Sequence, residues 1–165
     1  MKRLFAYVGF VALLLATVCP AAETALQPLS VFTDRIKVEK VDPTEIIYVG
    51  KRSASLYMCL SSYSENSARD SSDKERAKKL MATAEVFFRV ASFLERGDST
   101  KSDEFIKQQV AKFITIYTDS MKEGKMLNNS ALTPMILSDM EAAKSVYFIY
   151  QALDTDIQEK LKGAK

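Results

Sequence analysis

The sequence predicts an all-α protein: an up-down-up-down antiparallel four-helix bundle that follows a signal peptide and an irregular N-terminal arm. Apolar residues recur at helical spacing in four segments of about 20 residues or more. Proline is absent between residues 44 and 133, and Gly97, Gly124 and Gly163 mark the predicted ends of helices. The connections between segments are about 4 to 9 residues long, which favours antiparallel neighbours.

Residues 1–22 have the layout of a secretory signal peptide. Lys2 and Arg3 give a positive start, and residues 4 to 22 carry no charge. Small residues near the end of this segment suit cleavage that leaves Ala22 or Glu23 as the first mature residue. We therefore expect a periplasmic or secreted protein that has no membrane attachment after cleavage.

Two alternatives to simple cleavage stay open. A lipoprotein site at Cys19 normally has leucine three residues earlier and a small residue just before it, but Ala16 and Val18 stand there. A retained anchor needs about 20 apolar residues, and 19 uncharged ones are available. The pattern favours cleavage over both.

Composition excludes several function classes. Cleavage removes two of 23 basic residues and none of 21 acidic ones, so the mature chain has no net charge. Nucleic-acid binding usually needs a clustered positive field, and we expect no nucleic-acid partner. The chain has no histidine, which excludes Ser-His-Asp and Cys-His relays and histidine-ligated zinc. Glycine-rich nucleotide motifs are also absent. We predict no cofactor, no metal site and no enzymatic activity.

The mature chain divides into an arm and one helical domain. Residues 23–41 are predicted to be an irregular arm, because their apolar residues follow no clean period. Residues 42–165 are predicted to form the bundle. The helix starts are about 30 residues apart, close to the 34-residue tetratricopeptide period. The signature tryptophan, glycine and alanine positions of that repeat are missing, so we prefer a single bundle.

The first bundle helix is predicted to begin at Asp42-Pro43. Aspartate is a favoured N-cap, proline suits the first helical position, and Glu45 completes a capping box. Gly50 lies inside the helix, where glycine costs up to about 1 kcal/mol relative to alanine. Its presence suggests a close approach between two helices. The apolar stripe of this helix is Ile46, Val49, Leu56, Leu60 and Tyr63.

The second helix is predicted to begin at Ser72, which forms a second capping-box pattern with Glu75. Eight of the eleven residues from Ala84 to Leu94 are apolar. A helix that is apolar on most sides is covered on most sides. We therefore predict that this helix occupies the centre of the bundle.

The third helix is predicted to begin near Ser99 or Thr100 and to end at Gly124. Asp103 and Glu104 lie in its first turn, where negative charges interact favourably with the helix dipole. The helix is amphipathic, and its apolar stripe is Ile106, Val110, Phe113, Tyr117 and Met121.

The fourth helix is predicted to begin at Thr133-Pro134, another cap followed by proline. Helical spacing of apolar residues continues to about Lys162. Its apolar stripe is Ile136, Met140, Ala143, Tyr147 and Tyr150.

Cys59 is the single thiol of the mature chain, so an intramolecular disulfide is excluded. A nucleophilic cysteine needs a base or a helix N-terminus that stabilises the thiolate, and neither is evident here. The favoured interpretation is a small buried apolar residue. Pairing between two molecules in an oxidising compartment is the alternative.

The most mixed helix surface is a stripe on the first bundle helix that includes Tyr48, Arg52 and Cys59. If this stripe faced Glu85 and Arg89 of the second helix, the five residues would line a small polar cleft. A solvated seam between helices explains the same pattern.

A second candidate surface centres on Phe148. Residues 146–150 are all apolar, and successive helical residues step by about 100°, so they cannot all face one core. Phe148 must point away from it. Together with Ser145 and Ala152 it would form a surface for a protein partner or for weak self-association. The favoured interpretation is that the arm folds over Phe148, and the partner surface is the alternative.

These observations favour a non-enzymatic, exported helical protein that binds another macromolecule, of the adaptor, inhibitor, immunity or chaperone type. The alternative is a small apolar-ligand carrier with a pocket inside the helical bundle. A pocket larger than about 300 Å³ favours the carrier. A closed core with an exposed apolar patch favours the macromolecular partner.

Overall fold

The computed structural model describes residues 26–38, 42–97 and 103–163. Every regular element in these ranges is an α-helix, so the all-α prediction is confirmed. The predicted signal peptide lies outside the described residues. The helices in the described ranges are α1 (Leu29–Val38), α2 (Pro43–Asn66), α3 (Ser71–Arg96), α4 (Asp103–Asn128) and α5 (Pro134–Gly163).

Two of the predicted helix starts are confirmed by their caps. The Asp42 side chain accepts a hydrogen bond from the Thr44 amide at 2.8 Å, and Pro43 is the first residue of α2. This bond lowers the pKa of Asp42 below its ordinary value, because it stabilises the carboxylate. Helix α5 begins at Pro134, and the Thr133 hydroxyl accepts from the Ile136 amide at 3.4 Å.

The start of α3 differs slightly from the prediction. Its N-cap is Asp70, not Ser72: the Asp70 carboxylate accepts from the amides of Ser72 and Asp73 at 2.8 and 3.0 Å. The Asp70 carboxylate thus pairs with two amides of the first turn, which is the role that the sequence pattern assigned to the Ser72 hydroxyl. The helix therefore begins at Ser71.

The predicted end of α4 at Gly124 is wrong. The helix continues to Asn128, and the chain reverses at Asn129, which has a positive φ of 53°. Gly124 is needed for a different reason. A Cβ at this position would lie 2.6 Å from the carbonyl oxygen of Ser130 and 2.5 Å from a methyl of Thr133. The missing side chain lets the returning chain pack directly on the helix.

The prediction of an irregular arm is wrong for the described part of residues 23–41. Residues Leu29–Val38 form helix α1. Leu29, Thr33 and Ile36 share one face of this helix, and all three are buried. A ten-residue helix is marginal alone, so packing against α2 and α5 must stabilise it. Thr33 occupies a position on the buried face, and because threonine is not apolar, the helical periodicity of this segment is not evident in the sequence.

The prediction that the second helix is central is also wrong. Helix α2 contacts all four of the other described helices, and the nine consecutive residues 49–57 are buried. Helix α3 instead exposes part of its apolar surface, including Phe93. The sequence is misleading because α2 carries polar side chains into the interior, where they find partners, and only their burial reveals its position.

Gly50 of α2 marks a close approach between helices, as its position suggests. A Cβ here would lie 2.9 Å from Cβ of Ala91, 3.1 Å from the carbonyl oxygen of Phe87 and 3.1 Å from the Tyr150 ring. Backbone and a short side chain cannot move aside easily. The close contact of α2 with α3 and α5 therefore outweighs the cost of glycine inside a helix.

Candidate functional site

A buried ion pair lies at the centre of the molecule. Arg52 of α2 is fully buried, and its Nη2 lies 2.6 Å from Oδ2 of Asp139 of α5, which is buried as well. Tyr117 of α4 donates its hydroxyl to the same carboxylate oxygen at 2.6 Å and accepts from Nε of Arg52 at 3.0 Å. Three helices thus meet through three side chains.

The same ion pair holds the N-terminal end of α1. Arg52 donates through Nη1 to the carbonyl oxygen of Gln27 at 2.6 Å and to the Tyr48 hydroxyl at 3.1 Å. The Leu29 amide donates to Oδ1 of Asp139 at 3.1 Å. Asp139 therefore caps α1 from a distant part of the chain, which explains why this short helix forms.

This network joins four helices, and we call its side chains, Tyr48, Arg52, Tyr117 and Asp139, the clamp. Burial disfavours the charge of Arg52, but Tyr117 and Asp139 outweigh it and hold the pKa of Arg52 above its ordinary value. Burial likewise raises the pKa of Tyr117 above its ordinary value of 10.0. Arg52, Tyr117 and Asp139 are buried, so the charged centre of the network offers no access to a substrate.

A second buried ion pair joins α2 to α3. Nζ of Lys51 lies 2.9 Å from each carboxylate oxygen of Glu95. The same ammonium group lies 5.8 Å from the centre of the Phe105 ring of α4. Both lysine and glutamate are almost never buried unless paired, and this pair follows that rule.

The structure divides the five residues of the predicted polar cleft into separate groups. Tyr48 and Arg52 belong to the clamp beneath α1. Arg89 forms a two-pronged ion pair with Asp154 of α5, with both distances 2.9 Å, and Glu85 adds a contact at 3.5 Å. Asp154 was not predicted, because its partner is 65 residues away.

Cys59, the fifth of those residues, lines an apolar groove between α2 and α4. The groove has a volume of about 530 Å³ and opens to solvent. Helices α2 and α3 contribute mainly apolar and small side chains: Met58, Cys59, Ser62, Tyr63 and Met81. Helix α4 contributes a stripe at helical spacing: Ile114, Thr118, Met121, Lys122 and Lys125.

The thiol of Cys59 is buried and free, which confirms the interpretation of a buried cysteine. Its Sγ donates to the carbonyl oxygen of Ile114 at 3.6 Å and lies 3.7 Å from Oγ1 of Thr118. Burial raises the pKa of Cys59 above its ordinary value of 9.0. The thiolate is therefore disfavoured at neutral pH, which does not suit a nucleophile.

The groove has one apolar end and one cationic end. Cys59 and Ile114 are in contact at the first. At the second, Nζ of Lys125 lies 5.2 Å above the ring of Tyr63, and Lys122 lies one turn before the end of the stripe. The backbone of α4 rises about 16 Å from residue 114 to residue 125, and that of α2 rises about 6 Å from Cys59 to Tyr63.

Phe148 of α5 points away from the core, as predicted, and is 65% exposed. The described part of the arm does not cover it. Helix α1 docks at Asp139, about 13 Å along α5 from Phe148. Beside Phe148, Ala152 is exposed and Ser145 is half-buried, its hydroxyl donating to the carbonyl oxygen of Ala142 at 2.7 Å.

Three further observations bear on the chemistry of the chain. Within residues 26–38, 42–97 and 103–163, no three cysteine, aspartate, glutamate or histidine side chains cluster closely enough to hold a metal ion. None of the helices described above is both long and apolar enough to cross a bilayer. In comparisons with known proteins, no family model, no curated protein and no solved structure matches the chain.

Proposed function

We propose that this chain is an exported, non-enzymatic binding protein whose site is the groove between α2 and α4. The proposal depends on one observation: a surface groove of about 530 Å³ with apolar walls. Small-molecule sites have volumes of about 300–1,000 Å³ and mostly apolar linings. The geometry therefore favours the small apolar-ligand carrier over the macromolecular partner as the first candidate, although the site is a groove and not an enclosed cavity.

The lining side chains support binding more than catalysis. Met58, Met81 and Met121 contribute flexible thioethers that adapt to ligands of irregular shape. The thiol of Cys59 is held in its protonated form by burial. The best-buried carboxylates of the described residues, Glu95 and Asp139, are paired with basic side chains elsewhere. The groove thus supplies contact area and no evident general base.

The first test is binding of a neutral apolar dye, N-phenyl-1-naphthylamine, followed by its fluorescence. We expect saturable binding at one site per chain. Met81→Asp should weaken this binding about tenfold or more, because a carboxylate replaces apolar wall, and tenfold corresponds to about 1.4 kcal/mol. Met81 is 38% exposed, so the variant should remain folded.

Met126→Asp is the matched control, because Met126 lies outside the groove on α4 and is 86% exposed. It should bind the dye as well as the unaltered protein does. Equal dye affinity of Met81→Asp and the unaltered protein, or no saturable binding at all, would contradict the proposed site.

A macromolecular partner is the second candidate, and the exposed ring of Phe148 is the observation that favours it. We propose that Phe148, with Ser145 and Ala152, contacts a second copy of this chain. Phe148→Asp should then abolish any concentration-dependent dimer in sedimentation while changing stability by less than about 0.5 kcal/mol. Leu161→Asp, also at an exposed position, is the control. Identical sedimentation of the unaltered protein and Phe148→Asp would contradict this candidate.

The pairing of residues between neighbouring helices supports the proposed up-down-up-down topology. Lys51 pairs with Glu95 and Ser61 with the carbonyl of Ala77, so α2 and α3 run in opposite directions. Between α2 and α4, Ser55 contacts Val110 and Cys59 contacts Ile114, in rising order. Alternate helices then run in the same direction.

Export remains part of the proposal and depends on the composition of residues 1–22. A cleaved protein would begin near Ala22 or Glu23 and reside in the periplasm or the medium. An intact mass that retains Met1 would contradict cleavage.

A further inference from the structure

The groove is not uniform along its length, and its gradient of polarity specifies the ligand. We infer that the ligand is a single-chain amphiphile with an anionic head group, such as a long-chain carboxylate. Its alkyl chain lies between α2 and α4, and its head group binds Lys122 and Lys125. This inference rests on the proposed function and names the ligand class of the same site.

The first step concerns charge. Of the side chains that line the groove, the two that are charged are Lys122 and Lys125, and both are cationic. They are three residues apart on α4, so they project from neighbouring positions on one face. The head group of a groove-bound molecule at this end therefore meets two positive charges. An anionic head group complements the charges of Lys122 and Lys125.

The second step concerns the availability of these lysines. Lys122 lies 3.4 Å from the Asp119 carboxylate, but both side chains are more than half exposed, and such exposed ion pairs contribute little. The ammonium of Lys125 stays at the mouth of the groove through its contact with the Tyr63 ring. A ligand carboxylate can displace Asp119 at little cost and contact both lysines.

The third step concerns the opposite end. Ile114 and Cys59 are uncharged, and the thiol already donates to the Ile114 carbonyl. The hydroxyl of Thr118 lies beside the same thiol. This end offers no charged group for a second polar terminus, so the ligand has one polar end and one apolar end.

The same gradient disfavours an amphipathic peptide helix as the occupant. An amphipathic helix buries its apolar face in such a groove, and its charged residues follow that face along the length of the helix. Here both charges lie at one end and on one helix. A molecule with a single charged terminus matches this arrangement, whereas an acid-flanked helix leaves most of its charges without a partner.

The test compares three twelve-carbon ligands below their micelle-forming concentrations: laurate, dodecanol and dodecyltrimethylammonium. Calorimetry measures their affinity for the full protein and for Lys122→Glu combined with Lys125→Glu. We expect the charge reversal to weaken the binding of laurate about tenfold and to leave that of dodecanol within about twofold. The binding of dodecyltrimethylammonium should become stronger, because its head group then meets two negative charges.

The control variant combines Lys107→Glu with Lys112→Glu. These lysines lie on the same helix, are exposed and do not line the groove. This variant has the same net charge as the test variant, so it separates local contact from long-range attraction. It should leave the affinities of all three ligands unchanged.

The possible outcomes separate the two proposals. If laurate affinity is the same in the test variant, or if dodecanol weakens as much as laurate, the head-group inference is wrong. The groove proposal then still stands, provided that dye binding depends on Met81. If neither laurate, dodecanol nor the dye binds the unaltered protein, the proposed function itself fails.

Discussion

Replacing Asp139 with asparagine is expected to lower the free energy of unfolding by about 3–5 kcal/mol, because removal of one partner leaves a buried charge without compensation. The carboxylate lies 2.6 Å from Arg52 and accepts from Tyr117 and from the Leu29 amide. Asparagine has nearly the same shape but no charge. The loss therefore measures the ion pair and not a cavity.

Urea denaturation followed by circular dichroism measures this loss. Asp154→Asn is the matched control, because its partner Arg89 is 40% exposed and such pairs contribute about 0–1 kcal/mol. Replacing both partners, as Arg52→Met with Asp139→Leu, should cost less than Asp139→Asn alone, because no unpaired charge is then buried. A loss below about 1 kcal/mol for Asp139→Asn would show that Arg52 is solvated and that the clamp does not exist as described.

Replacing Phe87 with alanine is the second change with a large expected effect, about 3–5 kcal/mol. Phe87 is fully buried on α3. Its ring lies 4.6 Å from that of Tyr150, 5.5 Å from that of Tyr147 and 5.9 Å from that of Tyr57, measured between centroids. Alanine removes the shared centre of this aromatic cluster and leaves a cavity between α2, α3 and α5.

Phe93→Ala is the control on the same helix, because Phe93 is 38% exposed. Its loss should be smaller, about 1–2 kcal/mol, since more than a third of the Phe93 surface already meets solvent. Equal losses for the two variants would mean that α3 does not bury the face on which Phe87 lies. The same urea transitions measure both.

Local signals predicted the helices well, because caps depend on neighbouring residues. Asp42-Pro43 and Thr133-Pro134 begin helices in the structure as they do in the sequence. Helix α1 escaped prediction because its stability comes from tertiary contacts: the Leu29 amide bonds to a side chain 110 residues away. No sequence window contains that partner.

The central position of α2 and the candidate site could not be predicted for a related reason. A sequence pattern predicts that a charged residue is exposed. Lys51 and Arg52 are nevertheless buried, because they form ion pairs with Glu95 and Asp139 of other helices. The groove arises where three helices leave a gap, and such gaps depend on packing angles. Of the residues that line the groove, the sequence alone indicates only Cys59 as a candidate site residue.

The most direct test of the groove is a crystal structure of the protein with 12-bromododecanoate, whose terminal bromine is located by anomalous scattering. The proposed binding mode predicts one bromine peak near Cys59 and Ile114, at the apolar end, and a carboxylate within ion-pair distance of Lys122 and Lys125 at the other. A bromine peak elsewhere, for example beside Phe148, together with an empty groove, would contradict both the site and the orientation proposed for its ligand.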